Sequence, residues 1–373
     1  MIIAEIGTSH NGSLEKAMNL IDAAHNAGAD AIKLQWVYAD EILHPNTGSV
    51  DLPSGKTRLY DTFKTVEMPL MFFESVAEYA HEQQLQFLCS PFGEQSLREL
   101  VALKADAIKI ASPELNHFPL LHALSDYRTV QKAVGDAVMP VIISTGVSKL
   151  SDIEKALDIL GKENLTLLHC ITSYPAPETE YNVSVIENLS RIFGVPCGIS
   201  DHSLDPVLVP SLAIAFGAVT IEKHITLSKN DSGLDDKIAL NEAEFSQMVH
   251  AVHQCEASIA RYGKKRGAAH IIKELKAQYG KQKVLNVIGK GVKELAPSEL
   301  DNYGKTNRSL HFMRNMSAGT FIGDADVGVL RTEKNLTKGI SPEYLELVLD
   351  AKLSRDVHSG DGVQWQDFLT KKE

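Results

Sequence analysis

Eight short β-rich runs alternate with amphipathic stretches through the first 263 residues, and this alternation restricts the fold more than any other property of the chain. The runs cover 2–7, 31–36, 86–91, 107–112, 141–146, 165–170, 196–202 and 219–225. Between them apolar residues recur at helical spacing over 14–27, 72–84, 95–104, 151–161, 183–193 and 206–216, and 241–262 follows the last run. Ser151 with Glu154, and Asn241 with Glu244, supply helix-start signals. Eight strand–helix units in about 260 residues match a (β/α)8 TIM barrel in count and size. A doubly wound sheet is the rival, but no glycine-rich dinucleotide turn follows the first strand. The expected division is a barrel over 1–263, a linker or insertion over 264–305 and a small domain over 306–373, the charged stretch 264–283 reading as a longer helix or a mobile linker with a solvated surface as its default.

Composition sets the class of partner. With 373 residues, 44% hydrophobic and 23% charged, the chain can bury a full core. A net charge of −11 opposes nucleic acid and anionic membranes, so a phosphate-bearing ligand must be held by a local pocket working against the global field. The longest apolar stretch, 206–219, is broken by Pro210 and Gly217 and is too short to span a bilayer. Cys89, Cys170, Cys197 and Cys255 show no C-x-x-C spacing and read as buried, reduced thiols. The chain opens on Ile2-Ile3-Ala4-Glu5-Ile6 with no basic, cleavable leader, and a cytoplasmic location is the expectation.

Polar residues concentrate where barrel active sites are built, at the C-terminal ends of the strands. They are Glu5, Lys33, Gln35, Ser90, Lys109, Ser112, Ser144, Thr145, Thr172, Tyr174, Ser200, His202 and His224. His202 and His224 end adjacent strand-like runs, and Asp235 follows, which is what a divalent metal needs if it is to keep positions open. The bland alternative is a pair of hydrogen-bonded core histidines. Lys33 and Lys109 interrupt apolar strands. Two such lysines form an anion cradle for phosphate or carboxylate, with Ser90, Ser112, Ser144 and Ser200 as donors, whereas a single one would be a lysine snorkelling to water. His25, His81, His122, His250 and His253 read as surface or packing residues on helices, and His10 is ambiguous.

The motifs Glu5-Ile-Gly-Thr-Ser-His-Asn-Gly-Ser, Ile32-Lys33-Leu-Gln35, Phe87-Leu-Cys-Ser-Pro-Phe92, Ile108-Lys109-Ile-Ala-Ser112-Pro-Glu114, Ile143-Ser144-Thr-Gly146, Tyr174-Pro-Ala-Pro, Gly198-Ile-Ser-Asp-His202 and Glu222-Lys-His224 run in order through the barrel. Together they resemble the N-acetylneuraminate (sialic acid) synthase family. The C-terminal segment from Arg308, with the repeated spacing Gly319…Asp326-Val327 and Gly360…Asp367-Phe368, resembles the small antifreeze-like (SAF) β-clip domain that ends the same family.

The resemblance implies condensation of phosphoenolpyruvate with the open-chain aldehyde of an N-acetylmannosamine-like sugar, an N-acetylhexosamine, giving a nine-carbon 2-keto acid and phosphate. It implies a divalent metal, Mn2+ or Mg2+, on His202 and His224. Lys33 would face the enolpyruvyl carboxylate, and Lys109, Ser112, Ser90, Ser144 and Ser200 the phosphate. Glu5, Gln35, Tyr174 and Asp235 would address the sugar or the attacking water, with Glu114 and Thr172 in the substrate-binding set. Capture of an oxocarbenium-like carbon by water requires a positioned carboxylate, for which Glu5 is the candidate and Asp235 its rival. The resemblance further implies a domain-swapped homodimer in which Arg331 reaches the partner's active site.

Some residues depart from the family pattern. The Arg-Pro-Gly motif followed closely by Gly-Ile-Ser reads here as a longer stretch from Arg331 to Gly339 without the proline. Thr172 stands where asparagine is usual, and Asp236 follows Asp235 where a histidine often does. Two other classes stay open. A barrel metallohydrolase usually carries His-x-His on its first strand, which here ends Glu5-Ile-Gly. A catalytically silent sugar-binding paralogue is kept open by the altered arginine loop.

Overall fold

The computed structural model describes residues 1–52, 55–333 and 335–368. Lys334 of the arginine loop and the end of the expected C-terminal domain, 369–373, lie outside the described residues.

Eight parallel strands close into a barrel in chain order: β1 (Ile2–Gly7), β2 (Ala31–Trp36), β3 (Gln86–Pro91), β4 (Ala107–Ile110), β5 (Val141–Ser144), β6 (Leu165–Cys170), β7 (Cys197–Asp201) and β8 (Ile221–His224), with β8 pairing back onto β1. All eight expected strands are present, several of them shorter than their apolar runs. Ser112 leaves the sheet because Ser112–Glu114 forms a 3-10 turn, which directs Glu114 away from the strand. Side chains alternate in and out along each strand, so the barrel interior is layered. Ile3, Ala31, Leu88, Ala107, Ile142 and Leu168 make an apolar plug. One alternation higher on the same strands stand Glu5, Lys33, Ser90, Lys109, Ser144 and Cys170.

The helices lie outside, close to where periodicity places them. Asn241 and Glu244 form the expected capping box on Glu242–Tyr262. The helix after β5 begins earlier than expected, at Leu150, and Asp152 rather than Glu154 receives the capping N–H, from Lys149 at 2.8 Å. The long helix Phe118–Val134 supplies the crossover after β4. An excursion after β2 contains the short helices Ala39–Ile42 and Leu59–Thr65.

The segment 264–305, expected as a linker or insertion, is instead largely part of the barrel. It forms helices Lys264–Tyr279 and Lys281–Ile288, whose Ile271, Leu275, Val284 and Val287 are buried in the main core. The charged side chains of these two helices are not buried, so the pair is amphipathic beneath a charge-rich composition.

The C-terminal domain pairs β9 (Arg308–Phe312) with β10 (Val327–Arg331) over a small core that includes Leu310, Phe312, Ile322, Val348 and Val363. The repeat read in the sequence is a repeat in space. Asp326 Oδ2 accepts the Gly323 N–H and Oδ1 accepts from Arg314, while Asp367 Oδ2 accepts the Gln364 N–H and Oδ1 accepts from Arg355. All four cysteines are buried and unpaired.

Candidate active site

The inner face of the barrel mouth gathers Glu5, Lys33, Gln35, Lys109, Ser112, Ser144, Cys170, Tyr174, Ser200, His202, Glu222 and His224 around one cavity. The positions follow from strand geometry: residues two apart share a face, so Lys33 and Gln35, Ser200 and His202, and Glu222 and His224 enter together. A bulge after Glu5 shifts the β1–β2 register. Gly7 sits there at φ +58°, where a Cβ would lie 3.3 Å from both Glu5 Oε1 and Gln35 Nε2, so glycine leaves room for that pair.

Two ammonium groups face two carboxylates at the cavity floor. Lys33 Nζ lies 2.6 Å from Glu5 Oε2, and Gln35 Nε2 donates to Glu5 Oε1 at 3.0 Å. Lys109 Nζ lies 3.4 Å from Glu222 Oε1 and donates to Ser144 Oγ at 2.7 Å, while Ser200 Oγ donates to Glu222 Oε1 at 2.9 Å. Ser90 lies just outside the lining and accepts from Lys33 at 3.4 Å. All these charged groups are buried. Burial and the nearby Glu222 raise the Glu5 carboxyl above its ordinary value although Lys33 opposes them. Burial works the same way on Glu222, but Lys109 and Lys33 bring it below the usual range. For Lys109 burial wins and its value falls; for Lys33 the two carboxylates overcome burial and raise it.

Glu222 is the residue the sequence reading left without a role. Its signal was present: His224, two residues on, was already placed inside the barrel, and alternation carries Glu222 with it.

At the rim the imidazoles of His202 and His224 face each other, ring centroids 5.4 Å apart. His202 Nδ1 donates to the Ile171 carbonyl at 2.9 Å, and its backbone N–H donates to Tyr181 Oη at 2.6 Å. The ring is thereby oriented with Nε2 free, as a carbonyl-bonded metal ligand requires. Burial, with the His202 charge beside it, keeps His224 neutral, the form that ligates. His202 goes the other way, burial being overcome by Cys170 and the Ile171 carbonyl, which raise it to about 9, so a cation there would have to displace its proton. Asp235 stands behind it, Oδ2 3.8 Å from His224 Nδ1, and burial with the Glu5 charge pushes its carboxyl up to about 6. Among the described residues no third His, Cys, Asp or Glu joins the two imidazoles in a metal-binding group. Two imidazoles would leave most positions of a divalent cation open, and because Mg2+ and Mn2+ favour oxygen, those positions would fall to water and to oxygens of the ligand. The charges fit too, because the floor's two ammonium groups are already matched by two carboxylates and an anionic ligand calls for further positive charge. Tyr174 lies against His202 at 4.2 Å between centroids and is 46% exposed, which makes it a rim residue.

Besides Ser90, three expected substrate contacts, Glu114, Arg331 and Thr172, do not line this cavity. Glu114 is fully buried between the domains, where Oε1 accepts from Arg331 Nη2 at 2.7 Å and Oε2 from Arg308 Nε at 2.5 Å. Its carboxylate is taken by the junction, a consequence of the 3-10 turn that carries it away from Ser112. Arg331 is engaged there on the barrel of its own chain and also lies over the Phe92 ring. Thr172 packs its hydroxyl against Gly146, where a Cβ would come within 2.1 Å of Oγ1. Arg308, unremarked as a charge in the sequence, is the junction's centre and donates also to the carbonyls of Glu41, Val329 and Phe92. His10, ambiguous before, is buried and accepts the Gly12 N–H at 3.1 Å, a local capping role.

Known proteins resemble this chain over nearly its whole length. Over 376 residues the chain is 32% identical to the spore coat polysaccharide biosynthesis protein SpsE of Bacillus subtilis, covering 99% of this chain and 94% of that one. A crystal structure of SpsE superposes with a TM-score of 0.79 at 30% identity, over 100% of this chain and 96% of that one. The N,N'-diacetyllegionaminic acid synthase of Legionella pneumophila is 28% identical over 98% of this chain and 93% of its own length. The N-acetylneuraminic acid (sialic acid) synthetase of Leptospira borgpetersenii, crystallised with citrate, matches with a TM-score of 0.62 at 30% identity over 75% of this chain and 92% of that one. Residues 307–369 match the SAF domain. With residues 20–264 matching the family model, the chain belongs to the NeuB family.

Proposed function

We propose that this chain condenses phosphoenolpyruvate with the open-chain aldehyde of an N-acetylhexosamine-type sugar, giving a nonulosonic (sialic-type) acid and inorganic phosphate. The observation that carries the reading is the single cavity in which two buried lysines, three serine hydroxyls and two facing imidazoles meet. The acid synthases among its relatives make the same class of product.

Lys33 pairs with the donor's carboxylate, while Lys109 with Ser144, Ser112 and Ser200 binds its phosphate by charge-assisted hydrogen bonds. Holding donor and acceptor in register removes roughly 7–11 kcal/mol of the barrier, which accounts for many binding groups and few reacting ones. The enol carbon C3 bonds to the aldehyde carbon, whose oxygen takes up a proton. Water then adds to the electron-poor C2 and loses a proton, and the resulting hemiketal phosphate breaks its C2–O bond to release phosphate and the keto acid. Glu5, held by Gln35 and Lys33 with a raised proton affinity, takes the proton from water, and Asp235 is the alternative base. His202 and His224 would hold Mn2+ or Mg2+, which supplies Lewis-acid polarisation of the aldehyde.

Domain exchange uses the same contacts between protomers as within a closed monomer. The Arg331–Glu114 pair is accordingly the contact a swapped homodimer would use.

The test is a panel of hexosamine derivatives, phosphorylated and not, incubated with phosphoenolpyruvate and Mn2+, with the product weighed by mass spectrometry. The expected product is the sugar plus pyruvate, with stoichiometric phosphate. Phosphate release without a sugar would favour a hydrolase, and no turnover with any sugar would favour a silent binding protein.

A further inference from the structure

Val147 stands in the left-handed region at φ +40°, a conformation that a β-branched residue keeps only when its surroundings hold it there. The groups that hold it come from the connector 289–307 that leads into the C-terminal domain. Lys293 Nζ donates to the Thr145 carbonyl at 2.7 Å, Glu299 Oε1 accepts the Val147 N–H at 2.8 Å, and Asn307 Nδ2 donates to the Val147 carbonyl at 3.2 Å. The same Glu299 oxygen accepts the Thr172 N–H at 2.8 Å, and Oε2 accepts the Ala296 N–H at 3.0 Å. Glu299 is completely buried. One carboxylate therefore sets the separation of the loop after β5 from the loop after β6.

That separation matters to the cavity. Gly146, between the strained residue and Ser144, donates its N–H to Ser112 Oγ at 3.0 Å. Ser112 then acts as acceptor toward the loop, which leaves its own proton for an anion in the cavity.

We propose that Glu299 is a positioning residue for the condensation. By holding the Val147 and Thr172 amides it keeps 145–147 in the strained form that presents Ser112 and Ser144 to the donor's phosphate. The proposal rests on the donor assignment made above.

The test compares wild type, Glu299→Met and the double variant Glu299→Met/Val147→Gly by steady-state phosphate release, with thermal unfolding as the control on folding. Glutamine would be uninformative, because its amide oxygen can still accept both the Val147 and the Thr172 N–H, whereas methionine keeps the length and accepts neither. The expected result is a fall of about 100-fold in kcat/KM for phosphoenolpyruvate at a temperature where the variant is folded. Glycine adopts positive φ without penalty, so the double variant regains about tenfold. A purely architectural Glu299 gives the opposite sign, since loosening the loop further lowers activity. Unchanged kcat/KM in Glu299→Met, or a double variant no better than the single, overturns the proposal. If wild type itself releases no phosphate with any sugar, the donor assignment fails, and amide hydrogen exchange decides the clamp. Exchange at Val147 and Thr172 about 100-fold faster in Glu299→Met supports it, and unchanged exchange refutes it.

Discussion

Two buried ionic clusters lie a short distance apart in this molecule, and they are finished differently. At the domain junction Glu114 has both oxygens occupied by guanidinium groups, and Arg308 spends its remaining donors on backbone carbonyls. At the cavity floor the charges are paired but not exhausted: Glu222 Oε2 has no hydrogen-bond partner, and the ammonium groups face open space. A saturated cluster holds architecture, because every desolvated group has its partner. An unsaturated one is built to be completed by a ligand. The contrast separates Lys109 from Arg308 although both are buried cations in contact with a glutamate.

The sharpest way to break the contrast is to remove each cation. Lys109→Met should lower turnover by at least about 10³-fold by deleting a phosphate-binding charge, with the protein still folded by circular dichroism. Arg308→Met should do the reverse, lowering the unfolding free energy by about 3–5 kcal/mol in urea because Glu114 keeps only Arg331, while kcat of the folded fraction changes far less. Equal effects of both substitutions on both readouts would dissolve the distinction.

A second experiment asks whether the junction forms within or between chains. Mixed dimers of His202→Ala and Arg331→Ala chains contain one site with both residues intact if the C-terminal domains are exchanged. If Arg331 is needed for turnover, about half of wild-type activity should then return in the heterodimers. No recovery in verified heterodimers would confine the contact to one chain.

The smallest expected effect concerns pH. Burial holds His311 in the C-terminal domain down to about 4, with a ring nitrogen against the Gly360 carbonyl at 3.1 Å. Its folded value lies below that of the unfolded chain, so the unfolded state binds the extra proton. Its contribution is complete above about 6.5 and is lost as pH falls toward 4. His311→Gln should flatten that acid limb by on the order of 1–3 kcal/mol in denaturant titrations at pH 7 and pH 5, and an unaltered slope would remove His311 as its source.

The barrel was legible because its strands carry apolar residues outward on every unit and change to polar ones only at their C-terminal ends. Lys33, Lys109, His202 and His224 could be placed from that pattern alone. Saturation was not legible, since it depends on partners distant in the chain. Glu114 sits in a motif beside Ser112, yet its partners are 194 and 217 residues away. Glu299 and Lys293 have no local signature, because what they bind is backbone of another loop. Over 264–288 charge left a helix and a mobile linker both open and hid the packing on the core, although Ile271 with Leu275 and Val284 with Val287 stand at helical spacing on the buried side.

The central claim is that the cavity floor and the facing imidazoles form one site for an anionic donor and a cation. A crystal grown with phosphoenolpyruvate and Mn2+ tests it most directly through the anomalous signal of manganese. The account predicts a peak between His202 and His224 with the donor's anionic ends on Lys33 and Lys109. Manganese elsewhere, or phosphoenolpyruvate bound away from the two lysines, would contradict it.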